Sequence, residues 1–305
     1  MVEFTSLAKD LGFPEGPIAM PDGSVILVEI QSSLLTRIAA DGARTVIAEI
    51  GGGPNGAAIG PDGACYVCNS GRFRWAVNEK GRHPVGQAED YAGGRIERVD
   101  LRTGEVTRLY DRSENGPLRG PNDIVFDRNG GFWFTDTGKG HQRHMEHGGI
   151  YYAQPDGSSI TEVIFPMLQA NGIGLSPDEK TLYVAETVSG RLWAFDVESP
   201  GRIKRRDFPS PNGGRVVASN QGYVLPDSLA VDSEGNIAVA TIYEGGVTVF
   251  SPTGVVVERI ELPDQFVTNI CFGGPDLMTA YITLAQTGQL VMMPWSRPGL
   301  RLNFS

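Results

Sequence analysis

Six runs of β-branched, aromatic and small apolar residues punctuate the chain: SVILVEI, ACYVCNS, GFWFTDT, TLYVAET, NIAVATI and TAYITLA. A turn precedes each of them, written PDG, PDG, RNG, PDE, SEG and GPD and carrying Asp22, Asp62, Asn129, Asp178, Glu234 and Asp276. Seven residues before those turn residues stand Glu15, Asn55, Asn122, Asn171, Asp227 and Asn269, all of them polar. PDG turns are common in all-β proteins, so one match carries little weight. Six matches at one offset, with the polar residues 40, 67, 49, 56 and 42 apart, are an internal repeat.

A repeat of this length made of short strands and Gly/Pro/Asp turns predicts a β-propeller with one four-stranded antiparallel blade per repeat. Third strands open near Ser32, Gly93, Gly148, Gly190, Gly245 and Thr287. Fourth strands follow in ARTVIAEI, EVTRLYD, TEVIFP and VVVERIELP. The last repeat has no fourth strand of its own. The N-terminal VEFTSLA can supply it, closing the ring and leaving no open sheet edge. The expectation is an all-β, six-bladed propeller occupying 1–305 as one domain, since the repeat leaves no linker.

The 40 glycines and 20 prolines fit a fold made largely of turns. A formal net charge of −10 argues against nucleic acid and anionic membrane surfaces, both of which need a basic face. With no long apolar run at the start and none near a membrane span, the sequence reads as a soluble cytoplasmic protein. Cys65 and Cys68 form a C-x-x-C, but three residues apart on one strand they point to opposite faces, so they read as buried apolar thiols rather than a redox or zinc pair.

First strands line the channel of a propeller, so the six polar residues form a ring at one mouth. Two carboxylates and four carboxamides offer oxygen without sulfur or imidazole. That donor set suits one hard divalent cation, Ca²⁺ first, then Mg²⁺ or Mn²⁺. Asn55 and Asn269 read as channel lining within reach of a substrate. The inserts at 70–92, 137–148 and 202–225 all fall on the ring's side of the repeat, where long irregular loops are usually functional. The first carries Arg72, Arg74, Trp75, Arg82, His83 and Tyr91, and the second carries His141, His144 and His147. The H-x2-H-x2-H spacing gives poor ligand geometry on a helix, so His141 and His144 read as lid residues touching substrate hydroxyls. Arg72 and Trp75 read as contacts to the part of a substrate remote from the reacting bond.

Around these residues FPEGP, GPNDIVFDRNGGFWFTD, NGIGLSPDEKTLYVAET and LPDSLAVDSEGNIAVA resemble the family of gluconolactonase, regucalcin (the senescence marker protein) and luciferin-regenerating enzyme. The resemblance runs from about residue 10 to 295. It implies a six-bladed propeller with one catalytic divalent metal, held by Glu15, Asn171 and Asp227, with Asn122 as a ligand or a substrate contact. Ca²⁺ is the first expectation, with Zn²⁺, Mg²⁺, Mn²⁺ and Fe²⁺ as alternatives. Two motifs depart from the commonest pattern, Pro226-Asp227-Ser228 and Asn171-Gly172-Ile173, and both keep the ligand. The implied activity is hydrolysis of a lactone, an aldonolactone first, the cation polarising the ester and Asp227 accepting a proton. Asp227 fills that role whether the attacking water is free or already polarised by the cation. The runner-up readings are a phosphotriesterase-like hydrolase of activated esters, as in diisopropyl fluorophosphatase, and a calcium-binding regulatory propeller. Paired carboxylates in the channel favour an enzyme, and no G-x-S-x-G elbow supports a serine hydrolase.

Overall fold

Each apolar run is the second strand of an antiparallel sheet, and six such sheets make a six-bladed β-propeller in a computed structural model that describes residues 3–220 and 222–305. No helix occurs among the described residues, so none is long and apolar enough to cross a membrane. The first strands, innermost in their blades, are Pro14–Ala19, Pro54–Ile59, Pro121–Phe126, Ala170–Leu175, Leu225–Val231 and Val267–Gly273. Blade six takes its outermost strand from the other end of the chain: Thr5–Ala8 pairs with Gln289–Pro294, with Thr5 opposite Met292. Val2, part of the segment expected to close the ring, lies outside the described residues, as does Gln221.

Second strands are buried on both faces, which explains why their sequences read as nearly unbroken apolar runs rather than alternating ones. The core is correspondingly divided into six clusters, one per blade interface. One joins Ile26, Val28 and Leu35 of blade one to Ala57, Cys65 and Val67 of blade two; another joins Tyr66, Cys68 and Ile96 of blade two to Phe126, Phe132 and Phe134 of blade three. Cys65 and Cys68 thus serve opposite faces of one sheet, and burial raises both thiols, Cys65 to about 12.

The 202–225 segment differs from its reading as a mouth insert. Arg202–Lys204 pairs with the far end of the third strand, Arg191–Ser199, and Arg215–Ser219 pairs with its near end. This stretch is the outer strand of blade four, split in two by a loop. The other two inserts are hairpins, Phe73–Asn78 with Gly81–Gln87 in blade two and Lys139–Gly140 with Met145–Glu146 in blade three.

Candidate active site at the channel mouth

The ring residues sit where the innermost strands leave regular pairing. In each of those strands the ladder to the second strand jumps register at or beside the polar residue: Glu15 to Ile18, Pro54 to Ala57, Pro121 to Ile124, Ala170 to Ile173, Pro226 to Leu229 and Val267 to Asn269. A bulge frees a side chain from strict alternation and re-aims it, here six times at one level. An innermost strand is a sheet edge, so proline is tolerated on its unpaired side, and Pro14, Pro54, Pro121 and Pro226 each precede a ring residue. Glycine then lets neighbouring strands converge. A Cβ on Gly56 would lie 2.5 Å from the Asn122 carbonyl and 2.6 Å from the Asp123 Cα, and one on Gly172 would lie 2.6 Å from the Asp227 carbonyl.

All six ring side chains are buried. Glu15 Oε2 accepts from Asn269 Nδ2 at 2.7 Å and from Gly16 N at 2.5 Å, while Asn269 Oδ1 accepts from Ile270 N at 2.8 Å. Asn269 is therefore spent on orienting Glu15. By contrast, Asn122 Oδ1 and Asn171 Oδ1 are buried with no hydrogen-bond partner. Burial pushes the Glu15 carboxyl up to about 7, against hydrogen bonds that pull it down. Asp227 is held well above the usual carboxylate range, first by burial and then by the charge of Glu15, with the Asn171 side chain opposing.

Two orphaned carboxamide oxygens beside two carboxylates that repel one another are what a missing positive charge would explain. Glu15, Asn122, Asn171 and Asp227 fit a hard cation: four oxygen donors, two of them anionic. No group of three His, Cys, Asp or Glu among the described residues is arranged to hold a metal. Carboxamides would have to complete such a set, and Asn122 and Asn171 offer them here.

Sequence reasoning missed Asp123. It is buried, its Oδ1 accepts from Ile124 N at 2.9 Å and its Oδ2 from Ile173 N at 3.3 Å. Burial, then the charge of Glu15, raises it to about 7. Strict alternation sends Asp123 away from Asn122; the bulge brings both to the channel. The signal available was the ND dipeptide itself, since no other ring residue is followed by an acid.

The blade-two hairpin crosses the mouth. Arg82 N donates to Gln286 O at 3.3 Å and Lys80 Nζ to Gln265 Oε1 at 3.0 Å, both belonging to the blade-six side, and Arg82 also reaches Gln31 of blade one. Trp75 packs on Phe13, two residues before Glu15, with ring centres 5.0 Å apart. His83 stacks 5.9 Å over Phe266, three residues before Asn269, and its buried Nδ1 has no partner. Arg72 lies at the surface, paired with Asp90 at 2.8 Å. His141 and His144 are exposed and stack on each other at 4.2 Å. The two inserts meet at Lys139, whose buried Nζ donates to Ser70 O at 2.7 Å and lies 4.8 Å from the Phe73 ring and 5.1 Å from the Tyr91 ring.

Residues 13–286 match the profile of the SMP-30/Gluconolactonase/LRE-like region. The lactonase drp35 of Staphylococcus saprophyticus is 40% identical over 143 residues, 47% of this chain and 42% of that one. The chain thus spans less than half the length of that curated relative. Among solved structures, a gluconolactonase from Xanthomonas campestris aligns with a TM-score of 0.75 at 25% identity, over 95% of this chain and 89% of that one. A calcium-binding protein, regucalcin, from Agrobacterium tumefaciens aligns at 0.73 with 20% identity over 99% of both chains, a likeness of fold.

Proposed function

The chain belongs to the SMP-30/Gluconolactonase/LRE-like family, and from that premise we propose that it is a metal-dependent lactonase, opening a sugar lactone such as an aldonolactone with Ca²⁺ at the channel mouth. The observation that carries the reading is the set of buried oxygens at Glu15, Asn122, Asn171 and Asp227, two of which lack any partner. A bound divalent cation supplies Lewis-acid polarisation of an ester and a counter-charge for developing anionic oxygen. The lactonase and gluconolactonase relatives support the class of substrate, and the regucalcin neighbour supports calcium.

The chain's own groups then divide the work. Asn269 holds Glu15 in place, so that carboxylate is preset for binding rather than free to swing. Asp227, buried beside Glu15, is the proton acceptor for attacking water; ester hydrolysis needs one because water is a poor nucleophile until it begins to lose a proton. Trp75 and His83 stand on the Glu15 and Asn269 side of the ring and would shield the reacting bond from bulk solvent.

The test is a pH-indicator screen of aldonolactones and simpler lactones with metal-stripped protein, then with Ca²⁺, Mg²⁺, Mn²⁺ and Zn²⁺ added back singly. Turnover that appears with a cation and disappears with chelator is expected. Undiminished turnover in the stripped protein, or none on any lactone with any cation, overturns the reading.

A further inference from the structure

Lactone chemistry at the mouth leaves the other end of the channel without a role. A cavity of about 530 Å³ runs from Gly16, Asp123 and Asn269, on the inner side of the ring, to the face opposite the mouth. Its rim there is built from the Asp22–Gly23 and Gly274–Pro275 turns. First strands of all six blades contribute to the wall, and most of it is apolar, including Ile18, Met20, Val125, Leu175, Val231 and Phe272. Small-molecule sites run about 300–1,000 Å³ and are mostly apolar with a few placed polar groups. Apolar walls around a space of this size forfeit packing contacts, because interiors are otherwise close-packed, and an apolar guest restores them.

The chain beyond the last strand passes across this rim. Gly299 N donates to Leu277 O at 2.9 Å and Leu300 N to Val231 O at 3.0 Å. Asn303 Nδ2 then donates to Phe126 O at 3.1 Å and to Glu179 Oε1 at 2.8 Å. Leu300, Arg301 and Leu302 line the cavity as a result, and Leu302 keeps 47% of its surface exposed. Arg301 is exposed, and among the described residues no carboxylate pairs with it. Its neighbour Arg297, by contrast, is committed to Asp232 at 3.1 Å and Glu258 at 2.9 Å. Asp22, on the rim, pairs at the surface with Arg37 at 3.0 Å. In a chain of formal charge −10, an uncommitted guanidinium beside an open apolar cavity is a specific feature.

We propose that this end of the channel binds an anionic amphiphile, a carboxylate on an unbranched apolar chain, with the chain inside the cavity and the head on Arg301. The apolar wall supplies affinity without orientation, and the guanidinium fixes which end stays at the rim.

Isothermal titration of the Ca²⁺-loaded protein with octanoate, and with 1-octanol as the uncharged comparator, tests this. Octanoate is expected to bind saturably at one site. Arg301→Glu, an exposed substitution, weakens octanoate about tenfold and leaves octanol unchanged. Ala230→Phe, which fills the cavity from the blade-five strand, abolishes both while circular dichroism and the melting temperature stay at wild-type values. Where that variant does not fold, the Arg301→Glu comparison decides alone. Absence of saturable octanoate binding, or equal octanoate affinity in wild type and Arg301→Glu, overturns the proposal. The readout is binding and does not depend on turnover at the mouth.

Discussion

Stripping the cation should make the protein sensitive to pH in a direction that Glu15 dictates. Its carboxyl is raised from 4.5 to about 7 in the folded chain, chiefly by burial. Over that window the folded state keeps a proton that the unfolded chain has lost. The stability is therefore fully present below about 4.5 and is lost as pH rises through about 7. At ~1.36 kcal/mol per pKa unit, this one group costs roughly 3 kcal/mol by pH 8. Asp227 and Asp123 push the same way, but the three share one field, so their losses do not simply add. A cation on the four oxygens favours the ionised carboxylates and reverses the slope. Urea unfolding followed by tryptophan fluorescence, at pH 5 to 8 in chelator or in saturating Ca²⁺, measures both arms. Stability in chelator should drop by roughly 3 kcal/mol or more relative to the Ca²⁺ series. Glu15→Gln should make that drop shallower, since it removes one titrating group and its charge on Asp227 and Asp123 while keeping an oxygen toward Asn269; the part that burial of Asp227 and Asp123 causes should remain. Parallel pH profiles with and without Ca²⁺, or an unchanged slope in Glu15→Gln, would refute the reasoning.

Further outcomes follow from individual side chains. Asp227→Asn keeps the shape and removes the proton acceptor, so kcat on an aldonolactone should fall at least about 100-fold in a pH-indicator assay, while the circular dichroism spectrum is retained. Gly56→Ala drives a methyl group into the backbone of Asn122 and Asp123, which cannot yield locally, and should cost about 1–3 kcal/mol by urea unfolding together with a weaker Ca²⁺ isotherm. Trp75→Ala removes the aromatic contact with Phe13 above Glu15, and should reorder kcat/KM across a lactone panel while Ca²⁺ affinity by titration calorimetry holds.

Much of the fold was legible because the blades repeat one local solution. A polar residue, a mostly apolar or small stretch and a tight turn recur at a fixed offset, and that offset places every first strand before any tertiary contact is known. Blade four hid its outer strand because Arg202–Lys204 and Arg215–Ser219 are short and separated by a loop rich in proline and glycine, with no continuous β-forming run. The two hairpin inserts were legible as to face but not direction. Nothing local says that the blade-two hairpin leans over blade one toward blade six, because that choice is made by Phe13, Gln265, Phe266 and Gln286, remote in sequence. Asp123 escaped for a sharper reason: alternation is a valid rule for strands, and the ring is built where the rule is broken.

Six-fold repetition also had to be undone for the ring to do chemistry. Six equivalent polar positions would give equivalent roles, yet hydrogen bonding separates them. Asn269 gives its amide N–H to Glu15, and its oxygen accepts from the backbone of Ile270, so both ends of its side chain are engaged within the protein. Asn122 and Asn171 hold the same residue type at the same level with their oxygens unclaimed. The difference lies in the surroundings. Asn269 stands beside Glu15 across the junction of the first and last blades, where the carboxylate accepts from its amide N–H and the Ile270 N–H donates to its oxygen; no donor reaches the Asn122 and Asn171 oxygens. Placing acids at Glu15 and Asp227, on either side of that junction, therefore turns four identical asparagines into one orienting residue and two candidate ligands, with Asn55 left as lining, without any change in the backbone of the repeat.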